Sequence, residues 1–185
     1  MAKWKQKRQH MLHYNSTAHL YNMRYAQEQN LKIRAVIQNL KLERENSILD
    51  LGCGTGLLIS KTLHMTKNIV GIDISRNMLK VANLSIMNAS NVHFILADAD
   101  HTPLRENAFD TVFAITLLQN MPNPHCTLQE MKCVAKPNAS IIVTGFKKYF
   151  TKHSFLKILK NAKMRIELLV AEDSLKCFIA TCHKM

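Results

Sequence analysis

The chain has 185 residues, 47% of them hydrophobic, and its formal net charge of +12 is uneven: residues 1–34 hold seven Lys/Arg against one acid, 35–146 nine of each, and 147–185 nine against three. One domain with a proper core fits that length; no apolar run reaches the roughly 18 residues of a membrane span, and the opening MAKWKQKRQH lacks the apolar stretch of a secretory signal. Five cysteines without a C-x-x-C pair argue against a disulfide framework or a zinc site, so no metal and a reducing, cytoplasmic setting are expected.

Residues 1–13 are basic and aperiodic and read as a flexible arm ahead of a single domain over 14–185. Within it, KWKQKR (3–8) interleaves an aromatic with cations, which suits stacking on a base while tracking phosphates; a solubilising tail reads equally well. Ser16 or Thr17 caps a helix running to about Leu40, with a break near Asn30 and a buried stripe of Ile33, Val36, Ile37 and Leu40. SILDL (47–51) is a buried strand, GCGTG a turn, and a helix follows to about His64. NIVGID (68–73) is the second strand, and Ser75 caps a helix to about Asn88. VHFILAD (92–98) and FDTVFAI (109–115) are the third and fourth strands. Pro124 opens a helix to Ala135, SIIVTGF (140–146) is the fifth strand, and Thr151 opens a helix with Phe155, Ile158, Leu159 and Ala162 inward. RIELLVA and LKCFIATC close the chain as a hairpin. Alternating strands and helices predict an α/β fold with a mainly parallel sheet covered on both faces and one antiparallel edge member.

The loop after the first strand carries Gly52, Gly54 and Gly56. Its G-x-G-x-G spacing places Leu57 where the dinucleotide fingerprint G-x-G-x-x-G needs its last glycine, so a pyrophosphate is disfavoured. Acids stand at the neighbouring strand ends. Asp73, ending the second strand, can accept from ribose hydroxyls, and Asp98, in ADAD, from an adenine amino group. Asp50 either pairs with a ligand ammonium or holds the loop. Together they suit an adenosine joined to an amino acid better than they suit phosphates. Cys53 reads as a small filler and His101 as a loop residue.

In that order ILDLGCGTG, IVGIDIS, FILADADHTPL, FDTVFAITLLQNMPNP and MKCVAKPNASIIVTG resemble the successive motifs of class I S-adenosylmethionine-dependent methyltransferases, notably the small ubiquinone/menaquinone-biosynthesis-like group. The resemblance spans roughly residues 14–182. It implies a Rossmann-like seven-stranded sheet in the order 3-2-1-4-5-7-6 with strand seven antiparallel. It implies S-adenosylmethionine as cofactor and S-adenosylhomocysteine as product. The cofactor would be held by Asp50, Gly52, Cys53, Gly54 and Gly56 at the methionine end, Asp73 and Ile74 at the ribose, Asp98 and Ala99 at adenine, and Leu117 beyond the fourth strand. YNSTAHLYNMRY (14–25) is similar to the family's segment that folds over the cofactor: Tyr14 and Tyr21 match its tyrosines, and Asn15 and Asn22 replace its aspartates. Lys136-Pro137-Asn138-Ala139 stands where the family has K-P-G-G, with Asn138 expected to take the left-handed conformation.

Methyl transfer from a sulfonium needs above all a positioned nucleophile. No base is evident; Gln119 and Asn120 are the candidates for orienting an acceptor through their amides. Charge at both ends points to a polyanion, so the expected acceptor is RNA, with tRNA or rRNA first. A small-molecule acceptor is the alternative, set against the short segment between strands five and six, which leaves little chain for an inserted lid. A protein acceptor is a further alternative, with a small zinc-binding activator on the strand-three edge. No membrane partner is expected.

Overall fold

A computed structural model describes residues 2–87 and 89–185. One long helix, α1 (Ala2–Gln38), leads into β1 (Ser47–Leu51), α2 (Leu57–Thr62), β2 (Asn68–Asp73), α3 (Arg76–Ser85), β3 (Val92–Leu96) and β4 (Phe109–Ala114). A 3-10 turn (Leu118–Asn120) precedes α4 (Pro124–Val134), β5 (Ala135–Phe146), α5 (Lys152–Asn161), β6 (Met164–Val170) and β7 (Cys177–Lys184). The strands form one sheet in the order β3-β2-β1-β4-β5-β7-β6. β7 runs antiparallel to both neighbours and the other pairings are parallel. This is the Rossmann-like topology that the resemblance implied.

Alternation along the strands builds the two layers. Ile48, Phe113 and Ile142 face Ile33 and Val36 of α1 and Leu58 and Ile59 of α2. Their neighbours Leu49, Leu51, Val112, Ala114, Ile141 and Val143 face Leu128 and Met131 of α4 and Phe155 and Leu159 of α5. β1 and β4, covered on both faces, therefore read as continuous apolar runs. Each fully buried side chain of this kind contributes about 1.5–3 kcal/mol, which fixes the carboxyl ends of β1, β2 and β4 where the site forms.

Helix starts follow the expected chemistry. Ser75 accepts from the Met78 N–H, Asn123 caps α4 ahead of Pro124, and Thr151 accepts from the Ser154 N–H. The expected end of α3 near Asn88 lies outside the described residues.

Two expectations are corrected. The basic segment is helical from residue 2, and no break occurs near Asn30. Ser16 and Thr17 lie inside the helix and bond back to the His13 carbonyl at 2.8 Å instead of capping it. What overrides weak local propensity is tertiary contact: Lys7, Ala18, Gln29, Lys32, Ile33 and Val36 are all buried along α1. The second correction concerns Lys136–Ala139, which continue β5 as extended chain, with no positive φ at Asn138. Lys136 Nζ grips both oxygens of Asp110 at 2.8 Å, and His183 Nδ1 lies 3.0 Å from the Ala139 carbonyl, so the segment is held straight from both sides.

Candidate active site

The loop after β1 turns through three left-handed glycines, with φ of 73° at Gly52, 54° at Gly54 and 78° at Gly56. The Gly52 and Cys53 N–H groups both donate to the Ile72 carbonyl, at 2.8 and 2.9 Å, pinning the loop to β2. Asp73 organises the rest: its carboxylate accepts from the Gly54 N–H at 2.9 Å and the Ser75 N–H at 2.8 Å. The glycines are not equivalent. A side chain on Gly52 would stand 2.9 Å from Leu117, and one on Gly56 2.9 Å from Ile86, whereas one on Gly54 would meet nothing within 4 Å. Gly54 therefore borders open space, and Gly56 serves the close approach of α3.

α1 roofs this loop. Its Asn22 accepts from the Thr55 hydroxyl at 2.6 Å, and Asn15 accepts from the Ser75 hydroxyl at 2.8 Å and the Asn77 N–H at 3.1 Å. The two asparagines that depart from the family pattern are thus the ties between roof and floor. Under the roof lies one pocket. Of the expected residues, Tyr14, Tyr21, Gly52, Gly54, Asp73, Ile74, Asp98, Ala99 and Leu117 line it. Asp50 and Cys53 line an adjoining recess, and Gly56 lines neither.

Asp50 is 2% exposed and, among the described residues, takes no stabilising hydrogen bond. Burial, reinforced by the Asp73 charge, pushes its carboxyl up to about 7. A carboxylate in that state calls for a cation. With the open face of Gly54, this is the environment an amino-acid ammonium requires, and the residues present fit an adenosyl amino acid. Burial, with the Asp50 and Asp73 charges, pushes the Cys53 thiol far above its ordinary value, which makes it a packing atom and no nucleophile.

Beside this pocket, and sharing Tyr14, Tyr21, Thr116 and Asn120 with it, is a cavity of about 240 Å³. That is far beyond the roughly 10–15 Å³ one water needs. Tyr14, Tyr21, Tyr25, Phe146 and Tyr149 give it aromatic walls, and Arg24 and Glu28 charged ones. The α1 tyrosines form a ladder, with ring centroids 6.3 Å apart for Tyr14–Tyr21 and 5.1 Å for Tyr21–Tyr25. Both expected acceptor residues are here. Gln119 Nε2 donates to the Thr116 carbonyl at 2.7 Å while its Oε1 is buried without a partner. Asn120 Nδ2 donates to the Tyr14 hydroxyl at 3.1 Å.

Sequence reasoning missed Lys7, Gln29, Lys32 and Thr116. Lys7, assigned to the arm, reaches both Asp98 oxygens at 2.8 and 2.7 Å and Asp100 at 2.5 Å, while Thr127 donates to the other Asp100 oxygen. The heptad spacing of Lys7, Tyr14, Tyr21 and Glu28, with His10 one turn on, marks a single helix face; that regularity was the available signal. Among the described residues no group of three or more His, Cys, Asp or Glu could hold a metal, and no helix is long and apolar enough to cross a membrane.

Comparison with known proteins bears on this geometry. The family model described as "Methyltransferase domain" matches residues 42–178. The demethylmenaquinone methyltransferase of Staphylococcus carnosus is 31% identical over 112 residues, 59% of this chain, and that of S. aureus 32%. The chain spans about half (46%) of the length of these curated relatives. Among solved structures, a SAM-dependent methyltransferase from Aquifex aeolicus superposes with a TM-score of 0.74 at 20% identity, covering 83% of this chain and 89% of its own. A Haloferax volcanii putative methyltransferase, solved in complex with the Trm112 methyltransferase activator, gives 0.75 at 13%, covering 92% and 96%. At such identities the likeness shows the fold.

Proposed function

We propose, for a chain that belongs to the methyltransferase-domain family and takes S-adenosylmethionine as its methyl donor, that the acceptor is a flat aromatic ring seated in the tyrosine-lined cavity. The observation that carries this is the shared wall: Tyr14, Tyr21, Thr116 and Asn120 border both the donor pocket and the cavity. When bound, the donor supplies a sulfonium methyl; the chain's residues position and enclose. Asp50 holds the ammonium, Asp73 the ribose and Asp98 the adenine edge. The tyrosines sandwich the ring, and the side chains of Gln119 and Asn120 border it. Ordering two reactants in this way is the main source of acceleration for such a displacement.

The supposition that a short β5–β6 segment leaves the site open gives way, because α1 itself supplies the roof. This favours a small ring compound. The curated relatives are named for demethylmenaquinone, itself a quinone. One observation favours a second reading, an RNA base turned out of its stack: Arg24 lies in the cavity wall, and in sequence Lys147 and Lys148 lie between Phe146 and Tyr149, with Lys152 just after. Incubating the enzyme with tritiated S-adenosylmethionine and an extract from cells lacking it separates the two. Label in a nuclease-resistant, solvent-extractable small-molecule fraction supports the first; nuclease-sensitive label overturns it in favour of the second.

A protein partner on the sheet edge belongs to the same proposal. β3 pairs with β2 alone. The Asn91 carbonyl and the Ala97 N–H point toward β2, so Val92, Phe94 and Leu96 turn their backbone groups outward. Leu96 is 48% exposed there. This edge offers a strand to a small activator of the kind seen with the Haloferax neighbour.

A further inference from the structure

Thr116 is the most constrained residue of the site. It follows β4 with φ of 62°, a conformation a β-branched residue avoids. Four contacts hold it there. Its N–H donates to the Thr144 hydroxyl at 2.7 Å, and its carbonyl accepts from Gln119 Nε2 at 2.7 Å and Asn120 Nδ2 at 3.3 Å. Its hydroxyl accepts from Lys32 Nζ at 2.7 Å. That lysine comes from the middle of α1, and its side chain is 2% exposed.

An ammonium only donates. The Thr116 hydroxyl, taking one proton from Lys32, must therefore offer its own. Within the chain it has Gln29 Oε1 at 3.2 Å, a long contact, and Thr116 lines the cavity as well as the donor pocket. Close to Lys32 the charge is mainly positive, with Asp73 on the donor side of the wall. Glu28 is the carboxylate near Lys32, at 3.7 Å, and it also serves Lys176 at 2.9 Å. Two cations thus share one acid, and Arg24 adds a third from α1. The other titratable groups lining this cavity are His13, Tyr14, Tyr21 and Tyr25 on α1 and Tyr149 after β5, with Cys177 of β7 near Lys32. Burial lowers the Lys32 pKa against the opposing pull of Glu28; a buried cation that only shares its counter-ion is costly, and an anion in the cavity would complete the pairing.

We infer that the Lys32–Thr116 couple anchors an ionised oxygen on the acceptor ring, the Thr116 hydroxyl donating to it with the Lys32 charge directly behind. This rests on the ring-acceptor reading above and narrows it to hydroxyarenes or enols bound as their anions, the hydroxyl proton leaving to solvent on binding. Lys32 is a positioning residue acting through Thr116; no side chain need serve as base.

The test uses 4-nitrophenol, whose absorbance distinguishes phenol from phenolate, and the neutral 4-nitroanisole, each added to the full chain saturated with S-adenosylhomocysteine. The expected result is at least a tenfold preference for the phenolate, read as a fall of one unit or more in its apparent pKa on binding, and weaker binding of the anisole. Lys32→Met and Thr116→Val lose the preference while still taking the anisole; Thr116→Ser and Lys32→Arg keep it. Should Lys32→Met fail to fold, Thr116→Val alone decides. Nitrophenol bound with its free-solution ionisation, or a preference surviving both losses, overturns the inference while leaving the cavity reading intact. If neither probe binds, the cavity reading itself fails and this inference with it.

Discussion

Asp50 and Gly54 carry the proposed donor site, and each yields a separable prediction. The Asp50 carboxyl is raised from its ordinary 3.8 to about 7 by burial and by Asp73. The unfolded chain releases that proton first, so the folded state's advantage, complete below pH 4, is lost as pH rises through about 7. Asp50→Asn removes the penalty. Its melting temperature is expected to exceed the parent's by several degrees at pH 8, at ~2–4 °C per kcal/mol, with no difference below pH 4. The same variant loses the ammonium's counter-ion. Calorimetry is expected to show S-adenosylhomocysteine weakened ten- to a hundredfold and methylthioadenosine, which has no ammonium, nearly unchanged; equal weakening of both removes Asp50 from that role. Gly54→Ala and Gly56→Ala make the matching contrast. The first puts a methyl into open donor space and weakens donor binding at a stability cost of about 1–2 kcal/mol for the left-handed backbone. The second meets Ile86 at 2.9 Å and Ala82 at 3.3 Å and mainly lowers the melting temperature.

These residues also show what a sequence can and cannot disclose. The grouping of Asp73, Asp98, Gly52 and Gly54 around one pocket was legible because strand ends and backbone turns are written locally, whereas Gly56 lies outside it. Thr116 was not, because its role depends on a lysine 84 positions earlier and on a positive φ that no neighbouring residue announces. Lys7 was read as an arm cation because its acceptors, Asp98 and Asp100, lie more than 90 positions away.

Among the elements, α1 matters most. It has a weak apolar pattern, and its expected arm and break were reasonable inferences from local propensity. It is one helix because its polar face is bonded at both ends of the site, at Lys7 and at Lys32, with Asn15 and Asn22 between. Hydrogen bonds to Asp100 and Asp98 hold the Lys7 ammonium above its usual pKa despite the opposing effect of its burial. Removing it leaves two carboxylates facing each other without a cation. Lys7→Met is therefore expected to speed amide exchange over the first three turns of α1 at least tenfold and to shorten the residence time of bound S-adenosylhomocysteine. Unchanged exchange would mean that the first turns are held by something else.

For the whole molecule, a mainly parallel sheet was predictable from the alternation of elements and its strand order from the family resemblance, and the core assembles from the period-two pattern of β1, β4 and β5. What the pattern could not convey is that the N-terminal helix walls the site from above, turning a surface that reads as open into a lined cleft. The free β3 edge is the other feature of this scale. Co-expression with a Trm112-class activator is expected to give a one-to-one complex on gel filtration. Leu96→Pro, which removes an outward N–H, is expected to abolish that complex while leaving the melting temperature within a few degrees. A complex that survives the proline does not use this edge.

A crystal structure of the S-adenosylhomocysteine complex tests the shared wall between donor and acceptor spaces most directly. The thioether sulfur is expected at the junction bordered by Tyr14, Thr116 and Asn120, facing the tyrosine-lined cavity, with the ammonium on Asp50. A sulfur directed away from that cavity, or the product bound elsewhere on the sheet, contradicts it.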